Sequence, residues 1–182
     1  MEKKALRKII KEAKAMHSVA ELALQSEAVF RAVEQLDEFL AARSVLAYWS
    51  LSDEVQTHDF VERWCDKKKI YLPVVKGDNL EIVRYEGRSS LAPEPIFGIL
   101  EPTSAEKVGI ESIDLVIVPG VAFASDGRRL GRGKGYYDRL LTSSAVAKVG
   151  VCFDFQLKSN IPTEDYDVRM DLVVARDEIY KR

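Results

Sequence analysis

The sequence predicts an α/β protein, a three-layer sandwich in which a mostly parallel, mixed sheet carries helices on both faces. Three observations predict it. Short apolar runs alternate along the chain with amphipathic segments of helical period. One run, Asp114 to Val118 (DLVIV), is apolar almost throughout, as a strand buried on both faces would be. The 182 residues, 47% apolar and 31% charged, suit a single domain spanning 1–182, with no repeat, linker or low-complexity tract to divide it.

Residues 2 to 16 read as a helix, because Leu6, Ile9, Ile10, Ala13 and Met16 recur at helical spacing between Lys and Glu. Ser18 with Glu21 is a capping-box signal for a second helix, whose apolar face would run Leu22, Val29, Val33, Leu36 and Leu40. Ser44 to Trp49 is short, apolar and rich in strand formers. A short helix follows over 58 to 67. Two strands, Ile70 to Val75 and Leu80 to Tyr85, flank a Gly-Asp-Asn turn at 77 to 79. Residues 87 to 109 hold three of the six prolines and read as loop. After the strand at 114 to 118 a helix should begin near Gly135 and run through Leu141. Val146 to Phe153 and Leu172 to Ala175 complete the set as buried strands. The first helix is expected to pack late onto the α/β body.

Composition narrows the function. The 27 basic and 29 acidic residues leave a net charge of −2, which argues against a surface that coats nucleic acid or an acidic membrane. No apolar run approaches the length of a membrane span, and the charged amino-terminal segment lacks the apolar centre of a signal peptide, so a cytoplasmic protein is expected. Cys65 and Cys152 are too few and too far apart for a disulfide framework or a zinc site and are expected to be inert. His17 and His58 belong to no recognisable pattern.

One segment departs from the ordinary. Five of the ten glycines lie between Gly120 and Gly135, and Arg128, Arg129, Arg132, Lys134 and Arg139 crowd into the same stretch. It follows a buried strand and precedes a helix, at the carboxyl end of a strand where open α/β sheets bind ligands. Alternate glycines let backbone N–H groups approach a ligand; with cations and a helix N-terminus they form an anion site suited to phosphate. The spacing is neither the Walker A pattern nor the dinucleotide fingerprint. Chemistry alone leaves open a nucleotide site, a nucleic-acid backbone contact with Tyr136 and Tyr137 as stacking platforms, or a flexible basic turn.

The string Arg129 to Asp138, RLGRGKGYYD, preceded by Val-Pro-Gly and a Phe, resembles the signature of the 5-formyltetrahydrofolate cyclo-ligases, also called methenyltetrahydrofolate synthetases. Other landmarks fall in family order: Lys3, Lys4 and Arg7; Asp53 to Thr57; Ile99 to Pro102; Phe153 with Gln156; and Pro162 to Asp171. Two departures are Phe123-Ala124, where many relatives have Phe-Asp, and Tyr166-Asp167, where many bacterial members have His-Asp.

The resemblance implies conversion of 5-formyltetrahydrofolate to 5,10-methenyltetrahydrofolate, with ATP as co-substrate, release of ADP and phosphate, and Mg²⁺ as cofactor. It implies an ATP site from Lys3, Lys4, Arg7, Arg129, Leu130, Gly131, Arg132, Gly133, Lys134, Gly135, Tyr136 and Tyr137. Arg132 and Lys134 would be catalytic. Trp49, Glu54, Arg132, Lys134 and Tyr137 would hold the folate, and Asp138 and Asp171 the metal. The expected partners are the folate and ATP, with no nucleic acid or membrane, and the chain is expected to be a monomer. On their own, Lys3 and Arg7 also read as a solvated helix face, Trp49 as core, Asp138 as a helix-dipole partner, and Asp171 as a surface ion pair with Arg169 or Arg176.

Overall fold

The computed structural model describes residues 2–94, 98–176 and 178–182. In chain order the elements are α1 (Lys3–Lys14), α2 (Val19–Val33), α3 (Asp37–Ala41), β1 (Ser44–Leu46), α4 (His58–Trp64), β2 (Lys69–Lys76), β3 (Asn79–Arg84), β4 (Leu91–Pro93), β5 (Leu100–Pro102), β6 (Lys107–Val108), β7 (Leu115–Val118), β8 (Ala122–Phe123), β9 (Arg129–Leu130), α5 (Tyr136–Leu141), β10 (Ala147–Cys152), β11 (Leu172–Ala175) and β12 (Glu178–Lys181). The main sheet has eight strands in the order β12-β11-β10-β7-β1-β2-β3-β6. Its five central strands, β11 to β2, run parallel; β12 pairs antiparallel with β11 at one edge, and at the other β3 pairs antiparallel with β2 and β6 antiparallel with β3. This is the predicted α/β architecture.

The DLVIV run becomes β7 at the centre of the sheet, with all four strand residues buried. Leu115 and Ile117 join the core on one face, with Phe30 and Val33 of α2, Phe39 of α3 and Phe60 of α4. Val116 and Val118 join the core on the other face, with Leu141 of α5. Helices therefore cover both faces. The Ser18 hydroxyl accepts from Glu21 N at 3.2 Å and the Glu21 carboxylate accepts from Ser18 N at 2.7 Å, completing the predicted capping box.

Two expectations are corrected and one strand is added. The second helix stops at Val33 and a separate short helix starts at Asp37, so Leu36 is buried whereas Leu40 is 57% exposed. The break turns the helical face, and Phe39 replaces Leu40 in the core. The stretch 87 to 109 is not all loop: Leu91–Pro93 and Leu100–Pro102 pair as a small antiparallel ribbon, and Lys107–Val108 adds to the edge of the main sheet. The strand at 178 to 181, the sheet's other edge, carries too little apolar alternation to read as one.

The first helix packs through a core of its own. Leu6 and Ile10, each 1% exposed, rest on Ala122, Ala124, Leu130 and Ile161. Apart from Ile161, that surface belongs to the β8–β9 ribbon and its turn, which leave the carboxyl end of β7. Two buried aliphatic side chains contribute about 1.5–3 kcal/mol each, enough to seat α1 over the ribbon. Ala124 fits this contact because it is small and apolar.

Candidate active site

Pro119 and Gly120 carry the chain out of β7. Gln156, buried, fixes this exit: its Nε2 donates to the carbonyls of Gly120 and Val121, both at 3.0 Å, while its Oε1 accepts from Phe153 N at 2.8 Å. The ribbon then turns at Gly127, whose φ of +84° suits glycine; a Cβ there would stand 2.3 Å from the Met170 carbonyl oxygen. Arg128 faces away from the cavity and is structural. It pairs with Asp126 at 2.8 Å and donates to Asn160 and to the Ile161 carbonyl. Asp126, the carboxylate nearest Ala124, is thereby engaged outside the cavity.

All ten residues of the RLGRGKGYYD string line one cavity of about 330 Å³, together with Lys3, Arg7, Glu54, Glu164, Tyr166 and Asp167. Arg129, 5% exposed at its side chain, donates from one terminal nitrogen to both oxygens of Asp138 at 3.0 Å and from the other to the Pro119 carbonyl at 3.2 Å. Arg7 comes from α1 and donates through Nε to the Gly131 carbonyl at 2.9 Å. Arg132 donates to Glu54 at 3.0 and 3.1 Å and to Asp53 at 2.6 Å. Partial burial raises the Asp53 carboxyl, but Arg132 and Lys14 outweigh it and hold the group below its ordinary range. Lys3 pairs with Asp167 at 2.7 Å and Glu164 at 3.5 Å.

Lys134 differs from these cations. Its ammonium makes no hydrogen bond or ion pair among the described residues, and it stands exposed at the cavity. The Tyr137 hydroxyl is buried and likewise unpartnered among the described residues. Burial first, and then the Glu54 charge, push its phenol far above the usual range, so it stays an O–H donor. Gly133 has a φ of +103°, and a Cβ on it would approach the Arg7 guanidinium to 3.4 Å. α5, which starts beyond Gly135, is only six residues long. The expected helix dipole is correspondingly small, and the positive field comes from side chains and loop N–H groups.

A model of the 5-formyltetrahydrofolate cyclo-ligase family matches residues 1–176. The chain belongs to the 5-formyltetrahydrofolate cyclo-ligase family. It is 32% identical over 149 residues to the 5-formyltetrahydrofolate cyclo-ligase of Escherichia coli, covering 77% of this chain and 81% of that one. The NMR structure of Aquifex aeolicus 5,10-methenyltetrahydrofolate synthetase superposes with a TM-score of 0.89 at 34% identity, covering 100% of this chain and 93% of that one. The 5,10-methenyltetrahydrofolate synthetase of Mycoplasma pneumoniae gives 0.77 at 26% identity, covering 98% and 100%.

Three of the residues singled out in this cyclo-ligase-family sequence are not among those lining the cavity. Lys4 is exposed on α1 and points elsewhere from Lys3 and Arg7. Trp49 stacks on His58 with ring centroids 4.0 Å apart and packs against the core with Tyr85, in keeping with its reading as core. Asp171 precedes β11 and accepts from Lys148 N at 2.8 Å and Lys148 Nζ at 3.1 Å, level with Val116 and short of the end of β7. Its ion-pair partner is thus Lys148 rather than Arg169 or Arg176.

The two carboxylates expected to hold Mg²⁺ thus have different partners, and of the two Asp138 alone lines the cavity. Asp138 spends both oxygens on Arg129 and accepts from Val168 N at 3.1 Å as well. Among the described residues no group of three or more His, Cys, Asp or Glu could hold a metal. The donor set does not fit a resident cation site. Glu164, Tyr166 and Asp167 also line the cavity, and no spacing within Pro162 to Asp171 marks them out for it. Only the fold shows that this turn, rather than Asp171, reaches the cavity.

Cys152 is buried, and burial pushes its thiol up to about 12. Among the described residues no helix is long and apolar enough to cross a membrane.

Proposed function

We propose that this chain converts 5-formyltetrahydrofolate to 5,10-methenyltetrahydrofolate with ATP as co-substrate. The observation that carries the reading is the enclosure of the whole RLGRGKGYYD string, with Arg7 and Lys3 of α1 and Glu54 of the β1–α4 loop, around one cavity. Five cations and four carboxylates line this volume; Arg7 and Lys134, which pair with none of those carboxylates, together with the loop N–H groups suit a compact polyanion such as a triphosphate.

The chemistry starts from an amide oxygen, which is a poor leaving group. Attack of the formyl oxygen on the γ-phosphorus forms an O–P bond, breaks the bond to the bridging oxygen and releases ADP. The product is an iminium phosphate. The folate nitrogen at position 10 then attacks the formyl carbon, loses its proton to solvent, and the C–O bond breaks to release phosphate. The methenyl bridge remains.

Phosphoryl transfer asks a protein for position and charge stabilisation. Lys134, whose ammonium has no partner among the described residues, stabilises the transferring phosphoryl group. Arg132, anchored by Asp53 and Glu54, stands where the two substrates meet. The loop amides of Gly131, Gly133 and Gly135 cradle phosphate oxygens, and Arg7 holds the loop through the Gly131 carbonyl. Glu54 accepts from N–H donors on the pterin edge, and the Tyr137 hydroxyl donates to a substrate oxygen. No reaction step is assigned to Mg²⁺, and any ion accompanying the nucleotide is held by phosphate oxygens and water rather than by a protein cage. The chain acts as a cytoplasmic monomer in this reading.

The test is incubation with 5-formyltetrahydrofolate and Mg-ATP while absorbance of the methenyl product is followed. Product should form together with ADP. Absence of product, and of folate-dependent ATP loss, would overturn the reading.

A further inference from the structure

We propose that the ring of Tyr166 is the stacking platform for the purine base of the bound nucleotide. The inference rests on the ATP site proposed above and adds the part of that site which reads the base.

Tyr166 is a large aromatic left 68% exposed, and it lines the mouth of the phosphate cavity. The backbone beneath it is fixed. Asp167 N donates to the Glu164 carbonyl at 3.0 Å, and the Asp167 carboxylate accepts from Glu164 N at 2.8 Å, which closes a tight turn with Tyr166 inside it. The same carboxylate is tied to Lys3 of α1, whose ammonium also stands 5.5 Å from the centroid of the Tyr166 ring. A ring held on a braced turn loses little freedom when a ligand stacks on it. An exposed aromatic beside a phosphate site is the common platform for a nucleobase, because every base offers a π-face.

The geometry favours the purine over the pterin as the occupant. Lys3, Arg7 and Lys14 lie on one side of α1 and contact three successive parts of the site. Lys3 meets the Glu164–Asp167 turn, Arg7 meets Gly131, and Lys14 meets Asp53 at 3.1 Å. At a rise of about 1.5 Å per residue, Lys3 and Lys14 are about 16 Å apart along the helix. Tyr166 is therefore at the Lys3 end of the cavity and Glu54, next to the Asp53 that Lys14 holds, is toward the other, with the glycine-rich loop between. A folate engaging Glu54 occupies the far end. A triphosphate seated on the loop then has its base directed to Tyr166.

Calorimetric titration of the full chain with ATP and with inorganic tripolyphosphate tests this directly, without reliance on turnover. Tyr166→Ala should weaken ATP binding by about 10-fold, the scale of one base stacked on an aromatic, and leave tripolyphosphate binding unchanged. Tyr166→Phe should retain the affinity for ATP. In kinetics the KM for ATP should rise in Tyr166→Ala while the KM for the folate stays constant. Equal ATP binding by wild type and Tyr166→Ala, or a rise in the folate KM instead, would overturn the proposal. If the wild type binds ATP yet forms no methenyl product, the proposed function fails, and the ratio of ATP affinities still decides the platform. If the wild type binds no ATP, both fail.

Discussion

Arg132 donates to one oxygen of Glu54 through both Nε and a terminal nitrogen, at 3.1 and 3.0 Å, although the two residues are 78 positions apart. The contact joins the glycine-rich loop to the β1–α4 loop across the mouth of the cavity. Glu54→Ala removes an anchor of Arg132 and the carboxylate facing the pterin together. We expect the KM for 5-formyltetrahydrofolate to rise at least about tenfold, with nucleotide affinity measured by direct titration falling far less.

Lys134 has no competing carboxylate among the described residues, so its charge is fully available to phosphate. Lys134→Met should lower kcat by about 10² or more, the scale of losing one preorganised donor to transition-state charge. Because the side chain is exposed and unpaired, thermal stability should be unchanged. A variant of normal kcat would remove Lys134 from the mechanism.

Asp138 and Asp171 can be told apart in metal-free buffer. Asp138→Ala leaves the buried Arg129 guanidinium without its carboxylate, and breaking such a pair costs about 3 kcal/mol. Denaturant titration with EDTA present should show that loss, which a purely metal-binding role would not produce. Asp171→Ala, whose side chain is 40% exposed, should cost about 1 kcal/mol and leave the KM for ATP intact.

His58 stacks on Trp49, and its Nε2 lies 3.0 Å from the Ser50 carbonyl oxygen, which makes Nε2 the protonated nitrogen in the neutral ring. Burial first, then the Arg88 charge, depress its pKa below 6.5, against the opposing Ser50 carbonyl and the Glu62 and Asp59 carboxylates. The charged ring is thus favoured in the unfolded chain. The associated stability is present in full above the unfolded value and is lost as pH falls through the lower folded value. Between about pH 7.5 and about pH 5, wild-type Tm should fall more than that of His58→Phe. Histidine NMR titration should place His58 below its ordinary pKa; an unshifted value would refute the assignment.

Gly133 needs its positive φ. Gly133→Ala should cost about 1–3 kcal/mol in loop strain, read as weaker ATP binding more than as lower Tm, because the loop is exposed and bears on Arg7 rather than on the core.

Much of this protein was legible from local pattern. The capping box at Ser18, the doubly buried strand at 115 to 118 and the glycine-rich string after it are each specified by residues close together in sequence. The break between α2 and α3 was not legible, because Leu40 continues the helical period as well as Phe39 fills the core. The edge strand at 178 to 181 and the ribbon of Leu91–Pro93 with Leu100–Pro102 are not legible for a related reason: they are completed by partners, not by their own composition.

The sequence by itself determined the chemistry available here: a ten-residue string of alternating glycines and cations, placed where a central strand ends. What only the tertiary structure decided is which acids face that string. Asp53, Glu54, Glu164 and Asp167 reach its cations or the first turn of α1, whereas Asp171 is spent on Lys148. A carboxylate looks the same anywhere in a sequence. Its partner is set by strand register and by how α1 lies across the β8–β9 ribbon, and both depend on contacts between residues far apart in the chain.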